Sequence, residues 1–132
     1  MISLEKAHRV IAAGEAKARE IGCPMNIAVV DAGTNLKAFI RMDGAWLGSI
    51  DIAINKAFTA KAFDISTKAL GENSQPGDQF FGINASNHGR VMIFAGGVPL
   101  KVNGEIVGAV GVSGGNGEQD QTVAEAAAAV CS

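Results

Sequence analysis

Two histidines, His8 and His88, are the first candidates for chemistry, because an imidazole can bind a metal or exchange a proton near neutral pH. Neither has cysteine, aspartate or glutamate around it at the spacing that structural zinc sites use, so we expect no zinc centre. His8 falls at the margin of the apolar stripe of a predicted helix, one turn after Leu4. There it could face solvent, a second subunit or a flat apolar ligand. The run Asn87–Gly89 predicts a turn with His88 as its polar tip.

Charged side chains and paired glycines form a second set of candidates. The set is Asp31, Arg41, Asp51, Lys56, Gly96, Gly97, Gly114 and Gly115. Glycine lets a ligand approach the main chain closely, so the two glycine pairs could line a pocket to which the charged groups contribute. A solvated side chain is the ordinary state of each charge. A buried Lys56 against Asp51 or Asp31 would instead imply a function, because an unpaired buried charge is costly.

The run Gly111–Gly115 matches the G-x-S-x-G pattern of hydrolases with a serine nucleophile. That chemistry needs a histidine after the serine, and no histidine follows Ser113. The same glycines could direct backbone N–H groups at a phosphate, but Glu118 and Asp120 in the next helical turn would repel an anion. We interpret the run as a strand-to-helix turn without catalytic function.

Hydrophobic periodicity predicts the first half of the fold. Apolar residues at helical spacing predict an amphipathic helix over 3–21 with Ser3 as its N-cap, and β-branched runs at 26–31 and 36–42 predict a hairpin. A second helix is expected over 49–63, with Ser49 as its cap. A helical turn at 66–70 and an irregular loop over 72–87 follow.

Three strands and a helix are predicted in the last third. The strands cover 90–94, 98–102 and 105–113, and Asn103–Gly104 joins the last two, since this dipeptide suits a tight hairpin turn. An alanine-rich helix follows over 118–130. Because hairpins dominate, this order predicts an α+β fold with a largely antiparallel sheet flanked by helices.

Composition limits the classes of function. At 132 residues the chain suits one domain, 1–132, and its 11 basic and 13 acidic residues form no cluster that would favour nucleic acid. No apolar run reaches the roughly 20 residues of a membrane span, and the N-terminus does not look like a secretion signal. We therefore expect a cytoplasmic protein with Cys23 and Cys131 as reduced thiols. Low charge and abundant alanine and glycine favour a homo-oligomer.

Five ordered blocks resemble the GlcG/HbpS family, also called the haem-degrading domain family, which includes the C-terminal domain of PduO-type adenosyltransferases. The blocks span nearly the whole chain and lie at 26–33, 41–45, 51–57 with 59–60, 96–100, and 108–115 followed by 118–121. The resemblance implies a profilin-like fold with a five-stranded antiparallel sheet, and homo-oligomers. It also implies haem as a cofactor, with a histidine near the first helix as axial ligand, for which His8 is the candidate.

Three functions remain open at this point. The first is an oligomeric protein that binds haem or a related tetrapyrrole through His8 and is accessory to glycolate, glycerol or propanediol metabolism. The second is an enzyme or sensor for a small hydroxy acid, aldehyde or diol, which would use the charged and glycine candidates. The third is a module that only assembles partners, since fold alone does not determine function.

Overall fold

The computed structural model describes residues 1–131, which form four α-helices and four β-strands. The helices are α1 (Leu4–Ile21), α2 (Gly48–Ala62), α3 (Thr67–Glu72) and α4 (Gly117–Ala128), and the strands are β1 (Asn26–Asp31), β2 (Leu36–Arg41), β3 (Gly97–Val102) and β4 (Glu105–Ser113). Short 3-10 turns occupy Ile83–Ala85, Asn87–Gly89 and Ala129–Cys131. The α+β class predicted from the sequence is confirmed.

The sheet has four strands in the order β2-β1-β4-β3, and every neighbouring pair is antiparallel. The prediction of five strands is therefore wrong, and the missing strand is the one expected at 90–94. Its backbone meets helices instead of a strand: the Met92 N–H donates to the Thr59 hydroxyl of α2 at 2.9 Å. The Ile93 carbonyl lies so close to α3 that a Cβ on Gly71 would approach it to 2.0 Å.

Helices cover both faces of the sheet. Ile27 and Val29 of β1 face the larger core cluster with α1 and α4, whereas Ala28 and Val30 face α2. This alternation follows from the two-residue period of a strand. The α2 side is tightly packed, because a Cβ on Gly111 of β4 would lie 2.0 Å from the Ala53 carbonyl oxygen. The fold is thus a helix–sheet–helix sandwich.

The ends of the elements follow local chemistry. Ser3 caps α1 by accepting a hydrogen bond from the Lys6 N–H, and Asn116 forms a capping box with Gln119 at the start of α4. The prediction that Ser49 caps α2 is wrong, because the N-cap position is Leu47, which makes no side-chain cap bond. Ser49 lies inside the helix.

The turn between β3 and β4 has the predicted geometry. Asn103 and Gly104 have φ values of 53° and 80°, the left-handed conformation that a tight hairpin requires. Among residues 1–131 no helix is both long and apolar enough to cross a bilayer.

Candidate functional site

A buried ion pair joins the two helical layers at one end of the sheet. Lys56 of α2 donates from Nζ to the Asp120 carboxylate of α4 at 2.9 Å and to the Val112 carbonyl of β4 at 2.8 Å. The side chains are 0% and 4% exposed. The other carboxylate oxygen of Asp120 accepts from the Gly115 N–H at 2.9 Å. Each side chain therefore neutralises the charge of the other and forms a hydrogen bond with it, at a position where neither is exposed to water.

Glycines make this arrangement possible. A Cβ on Gly96 would lie 2.7 Å from Lys56 Nζ and 2.5 Å from the Val112 oxygen, and a Cβ on Gly97 would lie 2.6 Å from the Lys56 carbonyl oxygen. A side chain at either position would displace the pair or the helix behind it. The structure thus brings together four of the sequence candidates, Lys56, Gly96, Gly97 and Gly115. The carboxylate that pairs with Lys56 belongs to Asp120 and not to Asp31 or Asp51.

The charge of this pair is closed off from solvent. The Phe94 ring, 48% exposed, covers Lys56 Nζ with its centroid at 4.7 Å. Burial lowers the pKa of the Lys56 ammonium below its usual value, while the charge and the hydrogen bond of Asp120 oppose that change. With no exposed surface on Nζ, the pair is closed to a ligand and links α2, β4 and α4 where they meet.

A cleft opens beside the ion pair. It has a volume of about 570 Å³, within the roughly 300–1,000 Å³ of ordinary ligand pockets, and its lining includes Lys68, Ala95, Gln121, Thr122 and Glu125. Gln121 connects it to the glycine turn, because its Oε1 accepts from the Gly96 N–H at 3.0 Å. The lining offers both charge signs and polar groups, which suits a small polar ligand.

His8 lies elsewhere, on the outer face of α1. Its side chain is exposed, and within residues 1–131 it has no hydrogen-bond or ion-pair partner. Leu4, Ala12 and Ala16 share its side of the helix at four-residue spacing and are exposed too, Leu4 to 49%. The imidazole therefore stands in an apolar stripe on the surface. This exposed row differs from the predicted apolar stripe of α1, in which Ala7, Ile11 and Ala18 are buried.

The contacts of the remaining candidates do not include the ion pair. Asp31 accepts hydrogen bonds from the backbone N–H groups of Gly33 and Asn35 at 2.9 Å, which fixes the β1–β2 turn. Asp51 accepts from the Asn55 amide at 3.1 Å, and Arg41 is exposed at the end of β2. A Cβ on Gly114 would lie 2.5 Å from the Pro24 carbonyl oxygen, so this glycine serves close packing with the chain before β1.

Sequence reasoning missed the role of Asp120. It took this residue only as an acid of the first helical turn, and the signal that could have suggested more is its place three residues after Gly117, the last of a run of glycines. The structure also shows free thiols at Cys23 and Cys131, as expected. In the described part of the chain no three histidine, cysteine, aspartate or glutamate side chains are grouped to hold a metal ion.

Comparison with known proteins shows similarity over nearly the whole chain. A family model described as haem degrading protein HbpS-like matches residues 2–129. The chain is 44% identical over 126 residues to an uncharacterized 15.0 kDa protein in the dhaT–dhaS intergenic region of Citrobacter freundii, covering 96% of this chain and 89% of that protein.

Two further relatives carry more specific names. Corrinoid adenosyltransferase PduO of Citrobacter freundii is 36% identical over 128 residues, which cover 97% of this chain but only 38% of PduO. The crystal structure of a PduOC:heme complex superposes with a TM-score of 0.93 at 33% identity, covering 98% of this chain and 94% of that one. The similarity to PduO is thus confined to a part of that enzyme.

Proposed function

The chain belongs to the HbpS-like family, and from this premise we propose that it is a homo-oligomeric haem-binding protein in which His8 is an axial ligand of the iron. The observation that carries the proposal is the similarity to the haem-bound PduOC structure over 98% of this chain. When bound, haem would supply an iron centre for ligand binding or redox chemistry.

Two neighbours of His8 on α1 support this proposal. A residue that held haem would need small or apolar neighbours, because these leave room for a flat apolar ring and bury its surface. The exposed Ala12 and the half-exposed Leu4 beside His8 meet that requirement. The imidazole has no competing partner within residues 1–131, so a ring nitrogen is available to a metal.

A second subunit would complete this site. On one chain alone the histidine stripe is open to solvent, and a bound porphyrin would keep one face in water. Other large apolar side chains are also exposed, with Trp46 at 63%, Leu47 at 72% and Phe81 at 65%. Exposed apolar surface of this kind is typical of subunit interfaces. We therefore propose that haem lies at a boundary between copies. Cytoplasmic location stays a prediction.

Titration of the purified protein with hemin tests the proposal. Wild-type protein is expected to give a saturable shift of the Soret band, and His8→Ala is expected to lose or displace it, because the iron loses its protein ligand. His88→Ala is the matched control, since His88 is the other histidine and is also exposed. An unchanged spectrum of His8→Ala would remove His8 as a ligand, and no saturable shift in wild-type protein would refute haem binding.

The cleft beside Gly96 favours a second candidate function. Its volume of about 570 Å³ and its polar lining suit an uncharged aldehyde or diol, on which the protein would act as an enzyme or sensor. Glu118 and Glu125 outnumber Lys68 in the lining and disfavour the anion of a hydroxy acid. A ligand in excess of its dissociation constant raises the midpoint of thermal unfolding. Thermal-shift measurements with glycerol and propanediol should give a rise that Thr122→Val and Gln121→Leu abolish. The absence of any shift would refute this candidate.

A further inference from the structure

Arg90 is held in place by two neighbours on α2. Its guanidinium carbon lies 3.7 Å from the centroid of the Phe58 ring, and its Nε donates to the Asn55 Oδ1 at 3.4 Å. Phe58 is only 8% exposed, and Asn55 is itself anchored because its amide donates to Asp51. The guanidinium plane is therefore fixed before any ligand arrives.

No negative charge neutralises this guanidinium within the described residues. Arg9 and Arg19 each form an ion pair with a glutamate on their own helix. No carboxylate oxygen of residues 1–131 lies within 4.0 Å of an Arg90 nitrogen, the limit for an ion pair. None of those residues accepts a hydrogen bond from the two terminal nitrogens of Arg90. Arg90 is half-buried, so part of its hydration is lost without compensation by a counterion.

The chain before Arg90 adopts a costly conformation. Asn87, His88 and Gly89 are three consecutive residues with positive φ, at 51°, 59° and 76°. Left-handed backbone is unfavourable for residues with a Cβ, and such strain clusters at binding sites. The chain is anchored on α2 two residues after Arg90, where the Met92 N–H donates to the Thr59 hydroxyl at 2.9 Å. Turn and anchor together fix where Arg90 leaves the main chain.

We propose that Arg90 is a carboxylate-binding residue, in which the two terminal nitrogens of the guanidinium donate to both oxygens of one carboxylate. A planar fork matches a carboxylate in this way, and the Phe58 face and the Asn55 bond leave that edge free. The carboxylate could be a propionate of haem, a form that rests on the proposed function, or it could belong to a free small acid. The propionate form needs a second copy of the chain, because His8 on α1 and the Arg90 site on α2 lie on opposite faces of the sheet. The site itself is independent of haem.

Hemin, hemin dimethyl ester and sodium glycolate are the probes that separate these sources. If the carboxylate is a propionate, wild-type protein binds hemin about tenfold or more tightly than the ester, and Arg90→Gln brings the two affinities together. If it is a free acid, glycolate raises the midpoint of thermal unfolding of wild-type protein but not of Arg90→Gln.

Two variants keep the test clear of folding defects. Arg90→Lys retains the positive charge but not the planar fork. We expect it to lose most of the preference for hemin over its ester, or most of the thermal shift with glycolate. Arg19→Gln removes an exposed arginine and should leave both responses intact. Equal binding of hemin and its ester, together with no Arg90-dependent response to glycolate, would overturn the inference and leave haem binding standing. An Arg90-dependent glycolate response without hemin binding would support the inference and refute the haem proposal.

Discussion

Replacing Asp120 with asparagine should destabilise the protein more than any exposed charge change on the same helices. Asparagine can still accept from the Gly115 N–H, but its amide NH2 would meet the Lys56 ammonium, donor against donor. Lys56 would then remain as a fully buried cation without a counterion. Removing one partner of a buried pair typically costs about 3–5 kcal/mol, and we expect a loss in this range.

Urea unfolding measures this loss. With a slope of about 2 kcal/mol per molar urea, a loss of about 4 kcal/mol lowers the midpoint by about 2 M. Asp64→Asn is the matched control, because Lys61 of α2 and Asp64, two residues beyond the end of that helix, form a pair with the same 2.9 Å separation, but Asp64 is 56% exposed. Exposed pairs contribute about 0–1 kcal/mol, so this control should shift the midpoint little.

A double variant tests the cause. Lys56→Met with Asp120→Asn removes the stranded charge, so it should be more stable than Asp120→Asn alone. Two results would refute the reasoning that the buried charge determines the effect. One is a loss of unfolding free energy below about 1 kcal/mol for Asp120→Asn. The other is a loss in the double variant that equals the sum of the losses in the two single variants.

Three further changes test the packing, the thiol environment and a helix cap. Gly111→Ala should cost about 3 kcal/mol or more in urea unfolding, because its Cβ would lie 2.0 Å from the Ala53 oxygen, while Gly48→Ala, with open space around it, should be neutral or stabilising. Burial, and then the charge of Asp120, raises the pKa of the Cys23 thiol. In a Cys131→Ser background, the rate of Cys23 alkylation by iodoacetamide should therefore still increase with pH above the usual thiol pKa. Asp120→Asn should shift this dependence of the rate on pH to lower pH. Asn116→Ala should cost about 1 kcal/mol by thermal unfolding through loss of the capping box, and a loss near zero would contradict that role.

Local signals predicted the elements whose geometry is locally determined. The Asn103–Gly104 turn and the amphipathic α1 follow from a few neighbouring residues, and both agree with the structure. The segment 90–94 has strand-like residues as well, but its backbone contacts Thr59 of α2 and Gly71 of α3 and pairs with no strand of the described chain. Such contacts come from residues far away in sequence, so the local pattern gave the wrong strand count.

The candidate site was predicted only in part for the same reason. The sequence singled out Lys56 and the glycines, but the partner of Lys56 is 64 residues away, on a helix of the opposite layer. Spacing along the chain suggests partners within an element, such as Asp51 one turn or so before Lys56. Pairing across the sheet depends on the order β2-β1-β4-β3, which hairpin signals alone do not determine.

The position of iron in crystals grown with hemin tests haem binding through His8 most directly. The account predicts an anomalous iron peak at bonding distance from a His8 imidazole nitrogen, with the α1 stripe of Leu4 and Ala12 under the porphyrin and a second copy of the chain over its other face. An iron peak away from α1, or ordered crystals that contain the protein without iron, would contradict it.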